Sequence, residues 1–254
     1  MRTAAFACLV CVALSVRAEG IDRDSLLSDA PAASDMGTVR VTGGATGTNE
    51  DSGIGGANGQ ASFNGSISWT PVPSLSGDVG AYWQVGANGP SARIRYQFLS
   101  QWRHGVDLSA GLRFKTVGFH PDNGEVEMLV AAGRRFGQLE IVLNGVFGIE
   151  TGGGGGKDAE LKGFGGWRFS DALRAGVDSR LQVEVGDAET QVPGVVQIGR
   201  DYDLTVGPAV SWIVARDLGR TARNLQLQAL AGLAQPKKTD ITAAVGILSA
   251  SIDF

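Results

Sequence analysis

The amino-acid sequence predicts an all-β chain, a transmembrane antiparallel up-and-down barrel of about twelve strands, within a range of ten to fourteen. Three observations carry this. Stretches of ten or more residues alternate strictly between apolar and polar side chains. The connections between them alternate between long loops rich in Gly, Asn, Asp and Pro and tight turns. Aromatic residues recur at one end of every second stretch. Helical periodicity is nearly absent, and after residue 18 no segment is long and apolar enough for a membrane-spanning helix. Composition by itself suits an ordinary soluble chain, with a mean hydropathy of +0.03. Its one oddity is 38 glycines in 254 residues, against a usual ~7%. No Gly-X-Y period accompanies them, so collagen is excluded.

The elements follow in order. Arg2, the apolar stretch Ala4 to Val16 and the small-x-small site Val16-Arg17-Ala18 predict a signal peptide over 1–18, cut before Glu19. Cleavage removes Cys8 and Cys11, so thiol chemistry, disulfides and Cys-bound zinc are excluded from the mature chain. Removing Arg2 and Arg17 from the 22 basic residues leaves 20 against 26 acidic ones, a net charge of −6. An acidic exported chain is a poor nucleic-acid partner. Residues 19–37 read as a short polar periplasmic segment in which Leu26 and Leu27 are the only apolar pair. A tether, a short helix and a lumen plug all fit it.

The barrel then occupies 38–254, with strands expected at 38–45, 60–70, 78–87, 91–103, 106–117, 125–136, 139–150, 158–169, 172–185, 201–214, 224–233 and 243–254. Most have 10–14 residues, enough for the ~9–11 that a tilted strand needs to cross a bilayer. The first strand is the weakest, with only Val39 and Val41 as outward candidates. A bulge is expected at Pro208, which removes a ladder bond from the tenth. Glycines inside strands (Gly111, Gly145, Gly163, Gly165) are expected to let a curved wall close and neighbouring aromatics pack.

Alternation also fits a soluble barrel with its apolar face inward. Two features favour lipid outside. The apolar faces carry almost no charge, as the cost of ~2–4 kcal/mol for Lys or Arg at a bilayer midplane demands. Arg134 is the clear exception, near a strand end where it can snorkel. With the N-terminus periplasmic, the descending strands end in Trp69, Trp102, Phe136, Trp167 with Phe169, Trp212 and Phe254, all on the apolar face. Four of the five tryptophans thereby form an interfacial girdle.

The terminal strand Ala243–Phe254, apolar at every second position through Ile252 to a final Phe254, resembles the C-terminal signal of Gram-negative outer-membrane β-barrel proteins. The resemblance implies an outer-membrane location, contact with outer-membrane lipids, and reading of Ile252 and Phe254 by the barrel-assembly machinery during insertion. It identifies a class and not a function.

Motifs for chemistry are nearly absent. Gly152–Gly156 before Lys157 has Thr151 in place of the first glycine of a phosphate loop and Asp158 in place of the metal-binding hydroxyl. A surface loop explains it. The two histidines, His104 in a turn and His120 in a loop, lack an evident Ser partner. Asp201-Tyr202-Asp203 and Asp122-Asn123-Gly124 fall short of a calcium ligand set. No cofactor, metal or catalytic residue is assigned, and the expectation is a non-enzyme.

The predicted lumen face is richer. It holds Arg93, Arg95, Arg113, Lys115, Glu125, Glu127, Arg135, Glu140, Asp178, Arg180 and Glu184. A tight turn at 103–106 would set Arg95 by Arg113 and Arg93 by Lys115, Glu127 beside Lys115, and Arg135 across from Glu140. Modest loops and a lumen of paired charges give the chain a loose similarity to the small barrels of myxobacterial gliding-motility machinery, in architecture rather than in any motif. The leading expectation is therefore an outer-membrane subunit of an envelope-spanning motility or transport assembly, with periplasmic or outer-membrane protein partners. The alternative is a passive channel for small solutes, biased towards anions by Arg93, Arg95, Arg113 and Lys115. An outer-membrane lipid hydrolase is the remote third.

Overall fold

The computed structural model describes residues 20–49, 61–84, 87–117, 120–151, 156–185, 201–219, 221–237 and 240–254. The signal peptide expected at 1–18 and residues 152–155 of the glycine run lie outside them. Twelve strands form one closed antiparallel barrel with nearest-neighbour order throughout. They are β1 (Val39–Thr48), β2 (Ala61–Val72), β3 (Leu75–Gln84), β4 (Ala87–Leu99), β5 (Asp107–Val117), β6 (His120–Phe136), β7 (Leu139–Glu150), β8 (Lys157–Arg168), β9 (Leu173–Glu184), β10 (Tyr202–Arg216), β11 (Asn224–Gln235) and β12 (Ala243–Asp253). One helical turn, α1 (Gln101–His104), joins β4 to β5. The weak first strand is integral. β1 pairs with β2 on one side and β12 on the other, and the seam is fastened by Arg40 and Asp253, 2.6 Å apart in register.

The barrel is turned inside out relative to a soluble one. Outward positions carry exposed apolar side chains, among them Val79, Leu143, Leu161 and Leu248. Inward positions carry buried polar ones, among them Asp178, Asn144 and Glu127. Such an exterior is stable only against hydrocarbon, since closure leaves no open strand edge to solvate in the bilayer. All seven predicted girdle aromatics are exposed at the level of the short turns, as an aromatic belt requires. Arg134 stacks on Phe136 with its guanidinium 4.6 Å from the ring centre. The chain thus has the architecture of a Gram-negative outer-membrane barrel.

Several local expectations are corrected. The fourth strand stops at Leu99, and Trp102 and Arg103 belong to α1, where Arg103 lies 4.2 Å over the Trp102 ring. Gly105 ends the turn at φ 76°, a conformation that glycine adopts without strain. The extra residues and a register irregularity between Gln97 and Leu99 slide β4 two places along β5. Arg93 therefore faces Arg113, Arg95 faces Gly111, and Ser91 faces Lys115. A slip of two keeps every side chain on its predicted face. Asn88-Gly89-Pro90 is part of β4 rather than a loop. His120 and residues 122–124 extend β6 rather than forming a loop and turn. The Pro208 bulge is absent: partners on β11 keep one register from Val206–Leu233 to Ala209–Leu230. The irregularity falls between Ile213 and Ala215. Of the strand glycines, a Cβ on Gly111 would lie 2.5 Å from the Ile94 carbonyl, a close approach that glycine permits. Gly145 and Gly165 face open space on the lipid side, so wall closure does not require them.

Candidate functional site: the lumen and its plug

The polar N-terminal segment fills the middle of the barrel. Residues 20–37 enter at the turn-bearing end, climb to mid-height, reverse at Ser25–Ser28 and descend to β1. The reversal is closed by Ser25 N–H donating to the Ser28 carbonyl at 2.9 Å. The two limbs are joined by Ala32 N–H to the Ile21 carbonyl at 3.1 Å and by Ala30 N–H to the Asp24 carboxylate at 2.7 Å. Of the three readings open for this segment, the plug is the one realised.

Wall side chains satisfy the backbone of this irregular strap, as its burial in a lumen demands. Ile21 N–H donates to Asp107 at 3.1 Å. Arg174 donates to the carbonyls of Arg23 and Asp24 at 3.0 and 2.6 Å, and Gln228 donates to Asp24 at 2.7 Å. Asp178, fully buried, accepts from Leu27 N–H and from the Ser28 hydroxyl, each at 2.8 Å. Asn144 clasps Asp29 from both sides, accepting from its N–H at 2.7 Å and donating to its carbonyl at 2.9 Å. Arg95 donates to the Ala30 carbonyl at 2.5 Å, and Gln97 accepts from Ala33 N–H at 2.9 Å.

Apolar contacts complete the seat. Leu26 and Leu27 pack on inward-facing Ala209, Leu230, Ala234, Val245 and Ile247 of β10–β12. Ile21 packs on Val142 and Phe164. Pro31, also fully buried, sits over Gly133, where a Cβ would lie 2.7 Å from its ring.

The predicted lumen residues fall into three tiers. Towards the turn end, Arg135 pairs with Glu140 at 2.8 Å, and Glu140 also meets Arg174 at 3.4 Å. At mid-height Arg93 bridges Asp78, at 2.6 Å, and plug residue Asp29. Lys162 lies 3.1 Å from Glu160 and 3.9 Å from Asp29, and Arg180 reaches Glu160 at 2.5 Å. Higher up, Glu127 binds Arg113 and Lys115, and Lys115 also binds Glu125 at 2.9 Å. Glu184 pairs with Lys237 near the upper end of β9. Asp178 belongs to none of these tiers and serves the plug. The sequence reading missed Asp24, Asp29, Asp78, Asn144, Glu160, Lys162 and Arg174 as site residues. The detectable signal was apolar side chains at inward positions (Val142, Phe164, Leu230, Val245, Ile247), which require a dry partner inside the barrel.

The Asp29 carboxyl is buried, which by itself would raise its pKa. The surrounding Arg93, Lys162, Arg113 and Arg95 outweigh that and hold it well below the usual carboxylate range. Beside these groups lies a polar cavity of about 300 Å³, lined by Arg93, Arg113, Lys162 and the plug's own Asp24 and Asp29 and, further along, by Thr42, Asn64, Ser66, Gln228 and Ser249. The cavity thus joins the charged cluster that grips the plug to a stretch of wall lined by hydroxyls and amides. Among the described residues no cluster of three or more metal-ligating side chains occurs.

No family model and no curated protein sequence matches the chain. Its fold is similar to that of solved outer-membrane barrels. The KdgM porin superposes with a TM-score of 0.57 at 10% identity, over 85% of this chain and 99% of that one. An outer membrane channel from Pseudomonas putida F1 gives 0.56 at 14% identity, over 88% and 97%. The NanC porin gives 0.53 at 7% identity, over 84% and 98%.

Proposed function

We propose that the protein is a passive outer-membrane channel for small polar solutes, narrowed by its own N-terminal segment. The observation that carries this reading is the polar cavity beside the plug, faced by Arg93, Arg113 and Lys162. A barrel serving only as a scaffold has no need of such a cavity. The similar folds that are porins and channels support the same reading over an assembly subunit. One of them is a KdgM porin in complex with oligogalacturonate, and a solute of that anionic, hydroxylated type suits arginines set opposite Ser, Thr, Asn and Gln. A second reading keeps support from the plug itself. Its many anchors would suit a sealed barrel that docks envelope partners, with no feature tying it to motility.

Planar-bilayer recording separates the two. The channel reading expects a steady conductance whose ion selectivity shifts towards cations when Arg93 and Arg113 are both replaced by Glu. Silence of the wild-type barrel, together with co-purification of periplasmic proteins, would refute it in favour of the docking role.

A further inference from the structure

We infer that the plug's Asp24 and Asp29 occupy a carboxylate-binding site of the lumen wall, formed by Arg93, Arg95 and Lys162, which a multivalent organic acid can take over. This deepens the channel reading and rests on it. The argument begins with charge. Among the described residues, the mid-height ion pairs set four wall cations against two wall carboxylates, Asp78 on Arg93 and Glu160 shared by Lys162 and Arg180. Asp178, a third wall carboxylate at this height, is taken up instead by Leu27 N–H and the Ser28 hydroxyl. The paired cations thus outnumber their wall carboxylates, and the plug's two carboxylates make up the difference. Asp24 lies 3.9 Å from Arg95, the one carboxylate paired with that guanidinium. Asp29 reaches Arg93 through one oxygen and Lys162 through the other. The upper tier is self-sufficient by contrast, with Arg113 and Lys115 against Glu127 and Glu125.

A cation buried without a partner is costly, so the plug cannot leave the cluster uncompensated. A solute that supplies two carboxylates removes that cost, and therefore competes with the plug and favours its release. One that supplies a single charge does not. The cavity of about 300 Å³ reaches Asp24, Asp29, Arg93 and Lys162 directly, and the Ser, Thr, Asn and Gln side chains elsewhere in its lining suit a hydroxylated acid. Geometry, charge count and access thus converge on one site. The plug's carboxylates stand where the solute's would bind, and the site couples solute arrival to opening.

The test uses the full chain in detergent, with citrate as the probe and sodium chloride of equal ionic strength as the control. By calorimetry the Asp24→Asn/Asp29→Asn variant should bind citrate at least tenfold more tightly than wild type, and adding Arg93→Gln/Arg95→Gln should abolish binding. In wild type, citrate but not chloride should speed tryptic cleavage after Arg23 severalfold, a readout that survives any folding defect in the variants. Equal citrate affinity in wild type and the Asp variant, or cleavage indifferent to citrate, overturns the inference even if the barrel conducts. Citrate binding with no current in any variant supports the site and overturns the channel reading instead.

Discussion

Asp178→Ala should unseat the plug without unmaking the barrel. The Asp178 carboxylate is wholly buried and receives Leu27 N–H and the Ser28 hydroxyl, each at 2.8 Å. Hydrogen bonds to a charged group contribute ~1.5–3 kcal/mol each. Because water from the adjoining polar cavity can replace part of that, the lower end applies, about 3 kcal/mol for the pair. At ~1.4 kcal/mol per tenfold, the open fraction of the plug rises about a hundredfold. Limited trypsinolysis reads it. In the closed state Arg23 is held on both sides: its guanidinium donates to the Asp171 carbonyl at 2.7 Å, and its own carbonyl accepts from Arg174. Cleavage after Arg23 should then track the open population and accelerate about a hundredfold, with heat-modifiable gel mobility unchanged. Asp178→Asn should fall between, since Leu27 N–H and the Ser28 hydroxyl bind different carboxylate oxygens and one of these becomes an NH2 group that cannot accept. A change of less than threefold in the Ala variant would refute the view that this carboxylate holds the plug.

Other consequences use the same readouts. The Asp29 carboxyl is held below its usual range by Arg93, Lys162, Arg113 and Arg95, with Asp78 the carboxylate across Arg93. Its anchoring contribution is therefore full above the ordinary carboxylate pKa and is lost as pH falls through that range towards the depressed value. Peptic cleavage at Leu26–Leu27 should be slow at pH 4, rise steeply towards pH 2 beyond the enzyme's own pH dependence, and lose that extra rise in Asp29→Asn. Gly133→Val should drive Pro31 and the first limb out, because a Cβ there meets Pro31 at 2.7 Å and the Ile141 carbonyl at 3.1 Å. Gly145→Val, whose Cβ points into open space, should leave Arg23 protected. Phe254→Asp should lower the yield of heat-modifiable barrel severalfold, since the Phe254 side chain is exposed on the apolar outer face beside the β1–β12 seam, where a carboxylate is costly.

The wall was legible because its side-chain period is two and its two faces meet different media. Each alternating run maps to a strand, and even the mistaken register at the β4–β5 turn left Arg93, Arg95, Arg113 and Lys115 facing inward. What local pattern does not specify is how many residues a turn consumes. α1 spans Gln101–His104 and so absorbs Gln101–Arg103, which alternation alone assigns to the strand. Pro208 misled for a related reason. It lies on the lipid-facing side with its register intact, and the irregularity instead falls after Ile213. The plug was illegible in residues 19–37 themselves. Its Ser, Asp and Ala residues have no periodicity, and the wall groups that hold Leu27, Asp29 and Ala33 lie more than 60 positions away.

The plug's footprint is nevertheless written in the wall, as departures from the alternation that defines it. Inward positions of β7, β8 and β10–β12 carry Val142, Phe164, Ala209, Leu230, Val245 and Ile247, side chains that would be wasted on a water-filled bore. Inward positions of β1 and β2 carry Thr42, Asn64 and Ser66, and they line the cavity. One lumen therefore combines an apolar seat with a polar cavity beside it. A segment seated only by the apolar patch would be sealed in place, and one seated only by charges would exchange freely with salt. The two leucines hold the turn against β10–β12, while Asp24 and Asp29 complete the charge of the wall opposite. If the proposed channel opens, the electrostatic contacts must then be satisfied from elsewhere, and Arg93, Arg95 and Lys162, which bind the plug's carboxylates, would be the groups that meet an anionic solute.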